Sequence, residues 1–240
     1  MMASRLGTVL CTVYVSEAAK VGFINSLKSK VSSSLVHSFP DKEYNRTSFY
    51  LMSKSFSSLE DDAMLLCTEA TLSLNYTDHL GTHPSLGVID NIVFSPLGYE
   101  GIETAKRCAL SFAERLQRNV DVPVFLYGAA SPRKMMLRDI RKKLGYFSKT
   151  DFDVSFEADM GSMSVVKPTL GVSCVGAVPM IINLNMRFRP EDKRADVAKV
   201  SKAVREPGLV ESLTLDHAGG AYEVACNLRN TRTRSVEDVL

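Results

Sequence analysis

The sequence lacks the features that mark membrane and secreted proteins. It contains no apolar run long enough to cross a bilayer, and its first residues, Met1-Met2-Ala3-Ser4-Arg5, do not form the apolar segment of a secretory signal. An excess of one charge is also lacking, since the formal net charge is only +2. Such a balance does not favour nucleic acid or an acidic membrane surface as a partner. We therefore expect a cytoplasmic protein that binds neither.

Cysteines are few and widely spaced. The chain has five, and no two of them have the spacing of a metal-binding pair. They are Cys11, Cys67, Cys108, Cys174 and Cys226. Each lies within an apolar pattern, which is typical of buried thiols in a reducing compartment. The sequence therefore predicts reduced cysteines and no cysteine-based metal centre.

Length and hydrophobic patterning predict a mixed fold of helices and strands. With 240 residues, 45% of them hydrophobic and 23% charged, the chain can bury a core in one large domain or two small ones. The patterns predict strands at residues 6–15, 35–39, 46–53 and from 88 onward, and helices at 21–30 and 59–74. The resulting β-α-β-β-α-β order is the split βαβ, or ferredoxin-like, unit.

A second and shorter unit is predicted towards the C-terminus. After the first unit, the patterns predict a helix at 102–116, a strand at 123–127, a basic helical stretch at 133–143, a polar crossover at 150–170, a long strand at 172–188, a helix at 190–205, and strands at 210–216 and 222–228. We therefore expect an α/β fold, an α+β sandwich of two ferredoxin-like βαββαβ-type subdomains with antiparallel sheets. They would span residues 1–170 and 171–240, the second being truncated to βαββ. This truncation predicts an exposed, helix-sized gap on the smaller sheet, which is either covered by a partner chain or a second copy or left uncovered.

A stiff loop at residues 81–87, Gly-Thr-His-Pro-Ser-Leu-Gly, presents the most informative side chain. Pro84 restricts His83 to extended geometry, and the flanking glycines permit tight backbone paths. Histidine titrates near neutral pH and is well suited to proton transfer. His83 is therefore the candidate catalytic residue, although a loop histidine is also often a hydrogen-bonded structural residue.

The same region contains a second histidine, His79, four residues before His83. This spacing aligns two metal ligands only on a helix. Gly81 and Pro84 disfavour a helix there, and no third ligand is near in sequence. The sequence therefore predicts no metal site at this pair.

The chain carries a set of short motifs that are weak individually and specific together. They are Ser16-Glu17, Asn45-Arg46-Thr47, His83-Pro84, Gly87, Asp90, Leu126-Tyr127-Gly128, residues 171–176, Asn183-Leu184-Asn185 and Asn227-Leu228. In this order they resemble the formiminotransferase domain, a folate-dependent enzyme that accepts a formimino group from formiminoglutamate. The resemblance covers nearly the whole chain and looks closest to the shorter stand-alone paralogues named for the formiminotransferase N-terminal subdomain.

The resemblance implies a transferase with tetrahydrofolate as the acceptor, bound in a tunnel between two α/β subdomains. The family's catalytic histidine falls on His83, and its acidic site residue falls nearest to Asp41. Either Asp41 or Asp90 is expected to fix the tautomer of His83. The family's folate segment falls on residues 161–171. Its implied ligand-binding residues are Gly161, Ser162, Lys167, Pro168, Thr169 and Gly171.

The chain departs from the family pattern at positions near the implied site. Ser85 and Val178 stand where the family usually has arginines, Tyr14 stands in place of an asparagine, and a tryptophan near Leu170 is absent. Arginines make charge-assisted hydrogen bonds to carboxylates, which are among the stronger contacts available to a site. Their loss favours an alternative function, a folate-binding or partner-binding protein with little or no transferase activity.

Two charged features have open interpretations. Asp90 is either part of the site or a polar residue on the solvent side of its strand. The basic stretch at 133–143 either contacts the glutamate tail of a folate or forms a solvated helix face.

Overall fold

A computed structural model describes residues 9–53, 55–97, 101–145, 155–229 and 233–240. The first five residues and residues 150–154 of the predicted crossover lie outside the described residues. The chain forms two compact units, of which the first ends at Val178 and the second begins at Pro179.

The described residues of the first unit form six strands and four α-helices. Its strands are β1 (Val9–Val15), β2 (Leu35–Asp41), β3 (Arg46–Met52), β4 (Ile89–Pro96), β5 (Val124–Gly128) and β6 (Ser173–Ala177). Its helices are α1 (Val21–Lys30), α2 (Phe56–Ser73), α3 (Ile102–Val120) and α4 (Leu137–Lys143). The strands form one sheet in the order β2-β3-β1-β4-β6-β5.

The predicted β-α-β-β-α-β order is confirmed by β1 to β4 with α1 and α2. Strand β1 pairs antiparallel with β3 and with β4, and β2 pairs antiparallel with β3. Alternate residues of β1, from Val9 to Val15, are buried in one core with residues of α2 and α3. Tyr14 has the opposite parity and faces away from these helices. The alternation of β1 thus decides which face of the sheet receives the helices and which face is left for the site.

The predicted strand at 172–188 is wrong in its extent, because it consists of two strands in two sheets. Strand β6 inserts between β4 and β5 and pairs parallel with both. The second strand, β7 (Ile182–Arg187), belongs to the second unit. Pro179 lies between them, and proline lacks the N–H group needed to continue a ladder. The first sheet is consequently mixed rather than antiparallel throughout.

The second unit has the predicted β-α-β-β order and an antiparallel sheet. Its remaining elements are α5 (Arg194–Val204), β8 (Val210–Asp216) and β9 (Tyr222–Leu228), and its strand order is β7-β9-β8. Val197 of α5 packs with Val224 of β9, and Val236 and Val239 join the same core. Residues of the chain itself therefore cover part of the face where an open, helix-sized gap was expected.

All five cysteines are buried and none forms a disulfide, as predicted. Burial raises the pKa of the Cys67 and Cys174 thiols, so both stay protonated at neutral pH. They therefore serve as apolar packing groups. No helix within the described ranges combines the length and the apolar character needed to cross a membrane.

Candidate active site

The loop at residues 81–87 is anchored at both of its ends. At its start, the backbone N–H and the hydroxyl of Thr82 both donate to the Glu43 carbonyl oxygen, each at 3.1 Å. At its end, Gly87 forms an antiparallel bridge with Gly171. A Cβ atom at either glycine would collide with the opposite backbone. Close backbone packing therefore holds the loop in place, in addition to the restriction that Pro84 imposes.

The imidazole of His83 is held in one tautomer by the loop itself. Its Nδ1 lies 2.7 Å from the Pro84 carbonyl oxygen. A carbonyl can only accept, so Nδ1 carries the proton and Nε2 carries the lone pair of the neutral ring. The group that fixes the tautomer is thus a backbone carbonyl, where a carboxylate of Asp41 or Asp90 was expected.

The surroundings of His83 favour the neutral ring. The Tyr44 ring packs against the imidazole at a centroid distance of 4.8 Å. Burial, followed by the nearby Arg46 and Arg141 cations, lowers the pKa of His83 to about 3. At neutral pH the side chain is therefore uncharged.

Asp90 owes its position to an irregularity in the sheet. Tyr14 of β1 pairs with Asn91 of β4, but the next residue, Val15, pairs with Ile89, so the ladder skips Asp90. A bulged residue re-aims its side chain relative to the regular alternation. No part of the Asp90 side chain is exposed. The interpretation of Asp90 as a solvent-facing strand residue is therefore wrong.

The buried Asp90 carboxylate joins the histidine loop to α4. Its Oδ1 accepts a hydrogen bond from the Leu86 backbone N–H at 2.9 Å. Its Oδ2 accepts one from the Arg141 guanidinium at 2.6 Å. These are charge-assisted hydrogen bonds to a buried carboxylate, and so are stronger than neutral ones. Asp90 thus fixes the end of the loop three residues beyond His83.

Arg141 is a site residue that sequence reasoning missed. Its side chain is 16% exposed, whereas that of Arg138 on the same helix is 64% exposed. The solvated-face interpretation of residues 133–143 therefore holds for Arg138 and fails for Arg141. Ile140 and Leu144 are buried, and Arg141 lies between these two apolar positions. That helical spacing is the sequence signal that points Arg141 inward.

Arg46 places a second guanidinium beside Asp90. Its Nη1 lies 3.9 Å from Asp90 Oδ2. Its Cζ atom lies 5.1 Å from the ring centre of Tyr14 and 5.9 Å from that of Tyr44. The preceding residue, Asn45, has a φ of 46°, and this left-handed turn leads the chain into β3 at Arg46.

Asp41 shapes the turn that carries Tyr44. Its Oδ1 accepts the backbone N–H groups of Glu43 at 3.1 Å and of Tyr44 at 3.0 Å. Such an Asx-type turn fixes the backbone locally. Tyr44 packs on His83, and the Glu43 carbonyl oxygen anchors Thr82. By fixing the turn that carries both residues, Asp41 positions the ring against which His83 packs.

One end of the predicted folate segment adjoins the histidine loop. The Thr169 carbonyl oxygen accepts the Tyr76 backbone N–H at 2.7 Å, and Gly171 pairs with Gly87. Gly171 has a φ of 70°, a conformation that favours glycine. Gly171 therefore lies against the end of the histidine loop, and Thr169 against Tyr76.

The side chains of the other predicted residues of this segment have contacts outside the histidine loop. Lys167 Nζ lies 2.7 Å from Asp121 Oδ2 just after α3, and both side chains are largely exposed. Ser162 caps a 3₁₀ turn, a Cβ atom at Gly161 would touch the Pro123 backbone, and Pro168 is exposed. None of these contacts involves the His83 loop.

Both departures from the family arginines are packed into the first unit. The Ser85 hydroxyl donates to the Tyr76 hydroxyl at 3.2 Å, and that hydroxyl donates to the Ser85 carbonyl oxygen at 2.5 Å. Val178 is buried, and a Cβ atom at Gly128 would collide with its side chain. Neither Ser85 nor Val178 contributes charge.

Two tyrosines lie on the same side of the sheet, opposite the core helices. Burial raises the pKa of Tyr14 to about 12 and also raises the pKa of Tyr127, so both hydroxyls are protonated at neutral pH. A Cβ atom at Gly176 would overlap the Tyr127 ring. The glycine at this position thus leaves the space that the ring fills.

His79 has a structural environment. Its Nδ1 lies 3.1 Å from the Ser16 carbonyl oxygen, and its ring stacks on Tyr76 at 5.9 Å. Burial lowers the pKa of His79. Within the part of the chain that the structure describes, no group of three His, Cys, Asp or Glu side chains is arranged to hold a metal ion.

Comparison with known proteins gives a consistent result. The family model described as "Formiminotransferase domain, N-terminal subdomain" matches residues 8–178. The chain is 34% identical over 253 residues to the formiminotransferase cyclodeaminase-like protein of Arabidopsis thaliana, and the alignment covers 96% of the chain and 84% of that protein. It is 27% identical to the glutamate formimidoyltransferase of Streptococcus pyogenes serotype M1, with 80% of the chain and 64% of that protein covered.

A third relative is archaeal. The glutamate formimidoyltransferase of Thermoplasma acidophilum is 25% identical, with 83% of the chain and 68% of that protein covered. The family match ends at residue 178, where the first compact unit also ends, and it includes every side chain of the candidate site. The chain therefore belongs to the formiminotransferase family, to which it is matched through the N-terminal subdomain.

Proposed function

We propose that the chain is a folate-dependent one-carbon transferase resembling glutamate formimidoyltransferase, with tetrahydrofolate as the acceptor and His83 as the general base. Family membership supports the reaction class. The observation that carries the proposal is the neutral imidazole, whose Nδ1 proton is held by the Pro84 carbonyl oxygen. A general base must be unprotonated at the working pH, and a pKa of about 3 keeps His83 so.

In this proposal, His83 Nε2 takes the proton from N5 of tetrahydrofolate as N5 attacks the amidine carbon of formiminoglutamate. The N5–carbon bond forms and gives a tetrahedral intermediate. The proton then passes to the glutamate nitrogen as the bond between that nitrogen and the carbon breaks. The products are 5-formimino-tetrahydrofolate and glutamate, and the imidazole is neutral again. The low pKa of His83 makes its imidazolium form a strong acid. Of the two proton transfers, donation to the leaving glutamate nitrogen is therefore more favourable than uptake from N5.

The test compares formimino transfer by the wild-type protein with that by His83→Ala and His83→Gln. Loss of a general base is expected to lower kcat by about 10²–10⁴-fold. Glutamine keeps a polar group at the position but cannot accept and return a proton in the same way. His37→Ala is the matched control, because His37 is exposed on β2. Equal turnover by the wild-type protein and both His83 variants would contradict the proposal.

A second candidate function is folate binding with little or no transfer. The observation that favours it is the loss of charge at Ser85 and Val178, which are both packed against neighbouring residues. Calorimetric titration with tetrahydrofolate distinguishes the two. Binding without turnover would assign the second function, and absence of binding would contradict both.

The state of the cysteine thiols is the basis for proposing that the chain resides in a reducing compartment. All five cysteines are buried and unpaired, which supports a compartment such as the cytoplasm. Fluorescence microscopy of a tagged chain tests this, and localisation to an oxidising compartment would contradict it.

A further inference from the structure

The charges beside His83 do not balance. Two guanidinium groups, those of Arg46 and Arg141, surround the single carboxylate of Asp90. Arg141 takes Asp90 Oδ2 at 2.6 Å, whereas Arg46 remains at 3.9 Å, which is beyond hydrogen-bond distance. Asp90 therefore bonds mainly to Arg141, and these three side chains together carry a net positive charge.

Glu17 is another acidic side chain near this region, where its charge acts on His79, and it is already engaged. Its Oε1 accepts the backbone N–H groups of Ala19 at 2.7 Å and Lys20 at 3.0 Å. Its Oε2 lies 3.7 Å from Lys20 Nζ. Glu17 thus serves the start of α1, and it does not neutralise Arg46.

Aromatic stacking holds the Arg46 guanidinium in place before any ligand arrives. Among the described residues, its contacts are the Asp90 carboxylate at 3.9 Å and the faces of Tyr14 and Tyr44. A guanidinium stacked in this way keeps its planar fork of N–H donors available for a carboxylate. Its side chain is 20% exposed, so it is not sealed inside the core. A preorganised donor loses less conformational entropy when it binds.

Tyr44 also links this guanidinium to the catalytic candidate. The centroid of the same ring lies 5.9 Å from Arg46 Cζ and 4.8 Å from the centroid of the His83 ring. A ligand whose carboxylate binds Arg46 therefore has its remaining atoms next to His83. Formiminoglutamate carries carboxylates and a reactive amidine carbon in one small molecule, and the glutamate tail of a folate carries carboxylates as well.

We propose that Arg46 is a carboxylate-binding residue of this site, supplying the positive charge that Ser85 and Val178 do not provide. The identity of the ligand, as donor or as folate tail, rests on the proposed function. The binding chemistry itself does not, because it requires only a carboxylate and a stacked guanidinium.

The experiment measures binding by calorimetry for the wild-type protein, Arg46→Met and Arg46→Lys. The probes are N-formimino-L-glutamate, L-glutamate, tetrahydrofolate, and tetrahydropteroate, which lacks the glutamate tail. Losing charge-assisted hydrogen bonds to a carboxylate should weaken binding by about 10–100-fold in Arg46→Met. Arg46→Lys keeps the charge but not the planar fork, so its affinity should lie between the two.

Arg115→Met is the matched control. Arg115 is also partly exposed and lies beside a carboxylate, that of Asp61 at 2.6 Å. It belongs to α3 on the opposite face of the sheet, so its replacement should leave all four affinities unchanged. Circular dichroism checks that each variant is folded, and Arg46→Lys decides the matter if Arg46→Met is not.

The arms of the experiment separate the sources of the carboxylate. Weaker binding of formiminoglutamate and glutamate by Arg46→Met, with tetrahydropteroate unchanged, assigns Arg46 to the donor. Weaker binding of tetrahydrofolate but not of tetrahydropteroate assigns it to the folate tail. Equal affinities for every carboxylate probe in wild type and variants, or no binding of any of them by the wild-type protein, would overturn the inference. Arg46-dependent binding without turnover would instead contradict the proposed transferase function alone.

Discussion

Replacing Asp90 by asparagine should destabilise the first unit more than any exposed carboxylate replacement. The Asp90 side chain is fully buried, and its two oxygens accept the Leu86 N–H at 2.9 Å and the Arg141 guanidinium at 2.6 Å. Asparagine keeps the shape and one acceptor oxygen but removes the charge. The Arg46 and Arg141 cations would then face each other without a carboxylate between them.

The size of the effect follows from burial. Removing one partner of a buried ion pair costs about 3–5 kcal/mol of unfolding free energy. Arg141 is 16% exposed, so solvent screens part of its charge, and we expect the low end, about 3 kcal/mol. Arg141→Met keeps an apolar stem and leaves Asp90 with the Leu86 N–H and the more distant Arg46, so we expect about 2 kcal/mol.

The double variant Asp90→Asn/Arg141→Met should cost about as much as Asp90→Asn alone, because both changes remove the same interaction. The coupling energy of this double-mutant cycle should therefore be about 2 kcal/mol. Urea denaturation followed by far-UV circular dichroism measures it, since the chain has no tryptophan for fluorescence. Because the chain has two compact units, the first transition must be shown to be two-state.

Asp61→Asn is the matched control. Asp61 also lies 2.6 Å from an arginine, Arg115, but it is 58% exposed. An exposed ion pair contributes about 0–1 kcal/mol, so the same distance should give a much smaller effect. The reasoning fails if Asp90→Asn costs no more than Asp61→Asn, or if the costs of Asp90→Asn and Arg141→Met simply add.

Two further predictions concern His83 and the close contact between Gly87 and Gly171. Because burial lowers the pKa of His83 to about 3, the unfolded chain binds a proton there near pH 6.5 and the folded chain does not. Acidification from pH 6.5 towards 3 should therefore lower the unfolding free energy of the wild-type protein. The unfolding free energy of His83→Gln minus that of the wild type should be about 2–3 kcal/mol larger at pH 4.5 than at pH 7.5. Urea titrations that give the same difference at both pH values would contradict this. Gly171→Ala should lower the unfolding free energy by more than about 2 kcal/mol. The φ of Gly171 is 70°, and the Leu86 carbonyl oxygen occupies the space that the alanine Cβ atom would need. Gly208 has a φ of 80° with open space around it, so Gly208→Ala should lower the unfolding free energy by only about 1 kcal/mol. Equal losses for Gly171→Ala and Gly208→Ala would show that the contact between Gly87 and Gly171 is not tight.

Sequence patterns located the elements well where local periodicity decides them. The alternation around Val13 places β1, and the apolar stripe from Leu59 places α2, because buried positions recur at the period of each element. The patterns were wrong at residues 172–188, where the buried strand β6 is followed by the largely exposed strand β7 with Pro179 between them. Local patterning indicates that a segment is extended, but not to which sheet it belongs.

The candidate site was only partly predictable for a similar reason. His83 was found because Pro84 and the glycines are its neighbours in sequence. Arg141 was missed because its partner, Asp90, is 51 residues away, and because most of the basic stretch around it has the pattern of a solvated helix. Asp90 itself was left undecided, since its direction depends on a register shift between β1 and β4.

The sequence by itself determined the β-α-β-β-α-β order and the loop that presents a histidine, because propensity, periodicity and the Pro84 constraint act over a few residues. Only the tertiary structure decided what surrounds that histidine. The buried pair of Asp90 with Arg141, the stacking of Arg46 and the crossing of Gly87 with Gly171 join segments far apart in the chain. Such contacts depend on strand register and helix placement, which many local patterns leave open. The charge of the site is therefore a property of the fold.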